Sequence, residues 1–152
     1  GQYAFIIHHH DHRHPPRHHQ HKRVRLVTSY VPHHHIFKMC DVIVHHGGAQ
    51  TTGQALKSLK PQLIIPFWLD QFHWGSRVTQ LNIGLMLESV NPKKLTDALR
   101  SLSSDSRVAS VRAMCKEISQ SEGFEGVDAA CSAIHALLHH RSLASFRHDV
   151  AH

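Results

Sequence analysis

Val42-Ile-Val-His-His-Gly-Gly-Ala-Gln-Thr-Thr-Gly53, running on into Gln54-Ala-Leu-Lys-Ser-Leu59, decides the fold. An apolar run, Val42-Ile43-Val44, stops at two histidines. Gly47, Gly48, two threonines and Gly53 follow, and then a stretch with helical character. The order reads as buried strand, tight glycine turn and helix start. A helix N-terminus presents unpaired backbone N–H groups and the positive end of the helix dipole, which makes it an anion site. Glycines let a phosphate come close to the backbone. Thr51 and Thr52 are expected to cap the helix or to donate hydroxyl hydrogen bonds to the same anion. The stretch therefore points to a phosphorylated ligand.

Outward from this turn, strand and helix alternate. Strands are expected at residues 3–7, 23–27, 41–45, 62–67 and 84–87. Helices are expected at 36–39, from the glycine turn to about 59, at 71–82, from Asn91-Pro92 to 102, at 108–119 and at 127–138. Pro61 breaks the helix after the turn. Pro92 suits a first helical position. Pro32 disfavours helix at Val31, so residues 30–33 read as a loop. The alternation predicts an α/β domain with a parallel sheet. Ligands bind such sheets outside the carboxyl ends of the strands. The glycine turn, the 30–33 loop and the 68–71 loop all follow strands and should gather on that edge.

A chain of 152 residues with 41% hydrophobic content can bury one core. Net charge is +6, from 17 basic and 11 acidic residues, yet no compact Lys/Arg block appears. That balance reads as a solvated surface rather than a nucleic-acid site. Cys40, Cys115 and Cys131 are widely spaced and odd in number, so no disulfide framework is expected. Cys40 and Cys131, among apolar neighbours, are expected to be buried and reduced, which suits the cytoplasm. No apolar run approaches the ~20 residues of a membrane helix, and no signal peptide is visible. Residues 8–23 hold eight histidines broken by Pro15-Pro16. The tract has no periodicity and no spaced ligand frame, so it reads as loop or disorder without a structural metal site. The expected division is a short strand and His-rich segment at 1–23, an α/β domain at 24–138 and a tail at 139–152.

Four segments together resemble a known family. They are Val31-Pro32-His33, His45-His-Gly-Gly-Ala-Gln-Thr-Thr52, Pro61-Gln-Leu-Ile-Ile-Pro-Phe67 and Asp70-Gln-Phe-His-Trp-Gly75. In order and spacing they resemble the C-terminal half of family 1 glycosyltransferases, two-domain enzymes of the GT-B architecture. The nearest resemblance is to sterol 3-beta-glucosyltransferases and macrolide-type glycosyltransferases, over residues 24 to 138. It implies a Rossmann-like parallel sheet with flanking helices and a part in hexose transfer, with inversion, from a UDP-sugar to an acceptor hydroxyl, on a sterol or other lipid.

The resemblance also implies roles. Tyr30, Val31 and His33 would border the nucleotide base, and His45 would contact the diphosphate. Gly47, Gly48, Ala49, Thr51 and Thr52 would form the phosphate turn. Asp70 and Gln71 would bind hydroxyls of the donor sugar, for which a carboxylate and an amide are suited. The UDP-sugar is a substrate; no cofactor or metal is implied, because a helix N-terminus and an imidazole can stabilise the leaving diphosphate. His46 should point away from His45 if the strand period persists. Trp68 and Trp74 read as packing residues. Three positions depart from the family pattern: Gln50 where relatives carry glycine, Leu69 where they carry a small residue and His73 where they carry an aromatic. Gln50 is expected to crowd the phosphate or twist the turn. No segment matches the acceptor-binding domain, so this chain alone should not transfer sugar, and membrane contact would come only through a lipid acceptor. The alternatives are a degenerate nucleotide-binding module and the donor subunit of a split enzyme.

Overall fold

The computed structural model describes residues 4–8, 22–122 and 126–140. Among the described residues five strands lie in two parallel sheets. β1 (Phe5–His8) pairs with β2 (Val24–Val27), and β4 (Gln62–Ile64) lies between β3 (Ile43–His45) and β5 (Gly84–Met86). In the second sheet Val44 stands opposite Leu63, and Leu63 opposite Leu85. Parallel pairing sends the carboxyl ends of β3, β4 and β5 to one edge. The helices are α1 (His33–Met39), α2 (Ala49–Lys57), α3 (Asp70–Gln80), α4 (Pro92–Leu102), α5 (Asp105–Glu122) and α6 (Gly126–His140).

The middle strand organises the core. Every residue of β4 is buried, as a parallel strand covered on both faces should be. Side chains alternate across a sheet, so neighbours Leu63 and Ile64 face opposite layers. Leu63 packs with Ala98 and Leu102 of α4. Ile64 packs with Val78 of α3, Ile83, and Val111 and Cys115 of α5. Burying a side chain of this size contributes roughly 1.5–3 kcal/mol. A third cluster joins Phe37, Ile43 and Ala55 and fixes α1 and α2 beside β3. Asn91 caps α4 by accepting from the Lys94 N–H at 2.8 Å, with Pro92 in the first turn.

Several boundaries differ from expectation. Helix α1 starts at His33 rather than 36, because Pro32 is its N-cap. The restriction proline imposes falls on Val31, upstream of the helix. β4 ends at Ile64 rather than 67. The last ladder bond there is Ile65 N–H to the His45 carbonyl at 2.9 Å, and Pro66 has no N–H to continue it. α6 runs past 138 to His140. Cys115, not Cys131, is the buried thiol; Cys40 is half-buried and Cys131 is exposed on α6. The reason is periodicity: Val111 and Cys115 share one face of α5, and that face meets the core. The His-rich tract lies outside the described residues between 9 and 21, as does the tail beyond 140. Among the described residues no helix is long and apolar enough to cross a membrane.

Candidate functional site

The glycine turn is built from the end of β3. Gly47 has φ 91°, a left-handed conformation that favours glycine. A Cβ there would stand 2.7 Å from Ile64 Cγ2 and 3.0 Å from the Gln71 carbonyl oxygen. The turn therefore abuts the start of α3, and the two segments form one surface.

Three further groups hold the turn. The Gly47 N–H donates to His45 Nδ1 at 3.0 Å. Nδ1 is thus the acceptor, and Nε2 carries the proton toward Gln62 Oε1 at 2.9 Å. Gln62, fully buried, donates its Nε2 to the Thr52 carbonyl at 3.4 Å. Burial pushes the His45 pKa down to about 4; the Gln62 hydrogen bond opposes that, and His46 and His33 add to it. His45 is therefore neutral at pH 7, with both ring nitrogens engaged inside the protein. It braces the turn.

His46 is placed differently. It is exposed, and a Cβ on Gly48 would lie 2.6 Å from its Nε2. Its ring stands edge-on to that of His45, with centroids 6.5 Å apart, and hangs over the start of α2. Strand alternation does not govern it, because β3 ends at His45 and the chain turns there.

The N-cap of α2 is Gly48, and no side chain caps it. The N–H groups of Ala49, Gln50 and Thr51 therefore have no helical carbonyl to bond. Thr52 is not a cap. It is buried and donates its hydroxyl back to the Gly48 carbonyl at 3.0 Å. Thr51, half-buried, lies in the same first turn. Gln50 is exposed and is not among the residues with positive φ. It does not twist the turn; the one left-handed residue there is Gly47.

At the start of α3, Gln71 Oε1 accepts from the N–H groups of Phe67 and Trp68, at 2.8 and 3.0 Å. The Gln71 N–H bonds the Trp68 carbonyl at 3.1 Å. Asp70 Oδ2 accepts from Trp74 Nε1 at 3.2 Å. Asp70 is the first helical residue rather than the cap; Leu69 takes that place, at φ 41° and ψ −116°. Trp68 is not a packing residue, since it is 68% exposed.

The 30–33 segment reaches the same edge. His33 stacks on Phe37 at 5.1 Å and 10°, meets His8 edge-on at 6.0 Å, and bears electrostatically on His45. Val31 is half-buried and Tyr30 exposed. Sequence reasoning missed Gln62 and gave His46 the lesser part. A polar residue heading an otherwise apolar strand was the available signal for Gln62.

A helix N-terminus and an overhanging imidazole, with a carboxylate and an amide at the start of α3, are groups suited to an anion and to hydroxyls. Comparisons with known proteins place the chain in a family. Residues 3–127 match the family model described as Erythromycin biosynthesis protein CIII-like, C-terminal domain. The chain is 37% identical over 107 residues to a sterol 3-beta-glucosyltransferase of Saccharomyces cerevisiae, covering 69% of this chain and 9% of that protein. It is 35% identical over 99 residues to sterol 3-beta-glucosyltransferase UGT80A2 of Arabidopsis thaliana, covering 63% and 16%.

Among solved structures, spinosyn forosaminyltransferase SpnP superposes with TM-score 0.67 at 24% identity, over 78% of this chain and 31% of its own. Glycosyltransferase VinC in complex with dTDP gives TM-score 0.58 at 33% identity, over 65% and 25%. The chain thus spans between 9% and 16% of these two curated relatives. The architecture is that of the C-terminal half of a GT-B glycosyltransferase. The chain belongs to the family of Erythromycin biosynthesis protein CIII-like C-terminal domains.

Proposed function

We propose that this chain is the donor-binding part of a glycosyltransferase that moves a hexose from a UDP-sugar to the hydroxyl of a sterol or other lipid. The observation that carries the reading is the contact between the glycine turn and the start of α3. Only the missing Cβ of Gly47 lets the Gln71 carbonyl come this close. An anion on the N-terminus of α2 would therefore lie beside Asp70 and Gln71, as the diphosphate and sugar of one donor lie together. The family relationship supports the same reading, as do relatives named sterol 3-beta-glucosyltransferases. VinC, described with dTDP, supports a nucleoside diphosphate as the ligand class.

In the reaction the acceptor oxygen attacks the anomeric carbon. The bond from that carbon to the diphosphate oxygen breaks, and the nucleotide leaves with the electron pair. The α2 N–H groups and His46 would stabilise the charge that develops on the diphosphate. Asp70 and Gln71 would hold the sugar hydroxyls, and Tyr30, Val31 and His33 would border the base. The acceptor proton would go to a base on an acceptor-binding domain or partner chain that completes the enzyme, in the cytoplasm. No resident cofactor is needed.

Calorimetric titration of the chain with UDP, UDP-glucose and dTDP tests this. UDP-glucose should bind saturably, without turnover, and His46→Ala should weaken UDP at least tenfold by removing a donor to the diphosphate. An absence of binding by all three ligands, with the chain folded, would refute the reading and leave a degenerate module.

A further inference from the structure

We propose that the exposed run Phe67-Trp68-Leu69 is the acceptor platform of this site. It takes the flat, uncharged, fused-ring body of an apolar acceptor and holds its hydroxyl beside the donor sugar. The inference rests on the donor reading above and adds the part of the site that meets the second substrate.

Three consecutive large apolar side chains stand in water here, 75%, 68% and 74% exposed, and Phe72 follows at 41%. Scattered exposed apolar residues need no explanation, but a contiguous group marks a binding surface. The run is held firmly. Gln71 Oε1 accepts the N–H groups of both Phe67 and Trp68, and the Trp68 carbonyl accepts from Gln71 N–H. The tip is also strained: Leu69 sits at φ 41° and ψ −116°, where glycine is at ease and a branched side chain is not. Backbone strain of this kind persists where the surroundings over-determine it and collects at ligand clamps.

Position and charge select the occupant. Asp70 and Gln71 come next in the chain, so whatever lies on the platform lies beside the sugar. Residues 65–69 carry no charge, and the nearest formal charge in sequence is the Asp70 carboxylate. The run itself offers no charge to pair with a charged headgroup, whereas a neutral apolar body suits an apolar lining. The Trp68 indole offers a broad flat face matched to fused rings. The platform accounts for side chains that a donor site alone does not use.

The experiment is a titration of the intact chain with pregnenolone, a 3β-hydroxysteroid that lacks the long sterol side chain, read by tryptophan emission and by calorimetry, with UDP titrated in parallel. Saturable binding and a blue shift are expected. Trp68→Ala should weaken pregnenolone at least tenfold, Trp68→Phe should restore part of the loss, and Leu69→Ser should weaken it severalfold. UDP affinity should stay unchanged in all three and reports that the site is folded. Equal pregnenolone binding by the native chain and by Trp68→Ala overturns the proposal, as does UDP binding without pregnenolone binding. Loss of UDP binding with pregnenolone still held through Trp68 would instead remove the donor reading and leave the platform. Binding to phosphatidylserine vesicles through Trp68, with none to pregnenolone, would make the run a membrane contact and overturn the proposal.

Discussion

His45 should make the stability of this domain depend on pH in a window set by its own ring. In the folded chain burial holds its pKa near 4, against an ordinary value of 6.5. A base whose pKa is lowered by folding binds fewer protons folded than unfolded between those two values. Stability therefore rises with pH across that interval. The contribution is complete above pH 6.5 and is lost progressively as the solution is acidified toward pH 4. The gap caps the effect at about 3 kcal/mol. Partial exposure of the ring and relaxation of the turn bring the expected value to about 2 kcal/mol. Other histidines titrate too, so the comparison is with His45→Gln. Urea unfolding of both proteins from pH 7.5 to pH 4.5 should show the native chain losing about 2 kcal/mol more than the variant. The His45 Hε1 resonance should stay that of a neutral imidazole down to about pH 5. Parallel stability curves, or a ring that titrates near 6.5, would refute the buried brace between Gln62 and Gly47.

Three further substitutions probe the same edge. Gln62→Leu leaves the His45 Nε2–H and the Thr52 carbonyl without their partner, and urea denaturation should show a loss of about 1–3 kcal/mol. Leu69→Gly should stabilise the fold by about 1 kcal/mol. It relieves roughly 1–3 kcal/mol of backbone strain at a cost of roughly 0.5–1 in chain entropy, and the exposed side chain gives up little burial. In a thermal melt that is a rise of about 2–4 °C. Gly47→Ala drives a methyl group into Ile64 and the Gln71 carbonyl at φ 91°; a loss of about 2 kcal/mol is expected in the same denaturation series.

The alternation of apolar runs and helical stretches made the parallel sheet legible, because strand and helix periods differ and the glycines punctuate them. Asn91-Pro92 announced α4 by local chemistry alone. The site was harder to read because its groups are paired through space. The resemblance implied that His45 contacts the diphosphate, and strand alternation that His46 turns away; β3 stops at His45, and the His46 ring lies over Gly48. Gln62 sits seventeen residues from His45, and only the pairing of β3 with β4 brings them together. The apolar stretch through Phe67 looked like strand to its end. Pro66 stops the ladder, and that early stop leaves Phe67, Trp68 and Leu69 in water. Cys131 looked buried by its neighbours, yet the described residues of α6 from 128 to 138 are all exposed.

The most direct test of the account is a nuclear magnetic resonance titration of the labelled chain with UDP-glucose. The titration asks whether the glycine turn and the start of α3 form one donor site. Saturable shifts are expected at the amides of Gly48, Ala49, Gln50 and Thr51, together with the side-chain amide of Gln71. UDP alone should move the first group and leave the Gln71 side chain largely in place. Saturable shifts confined to residues away from this edge, or UDP-glucose binding that leaves the α2 amides unmoved, would contradict the account.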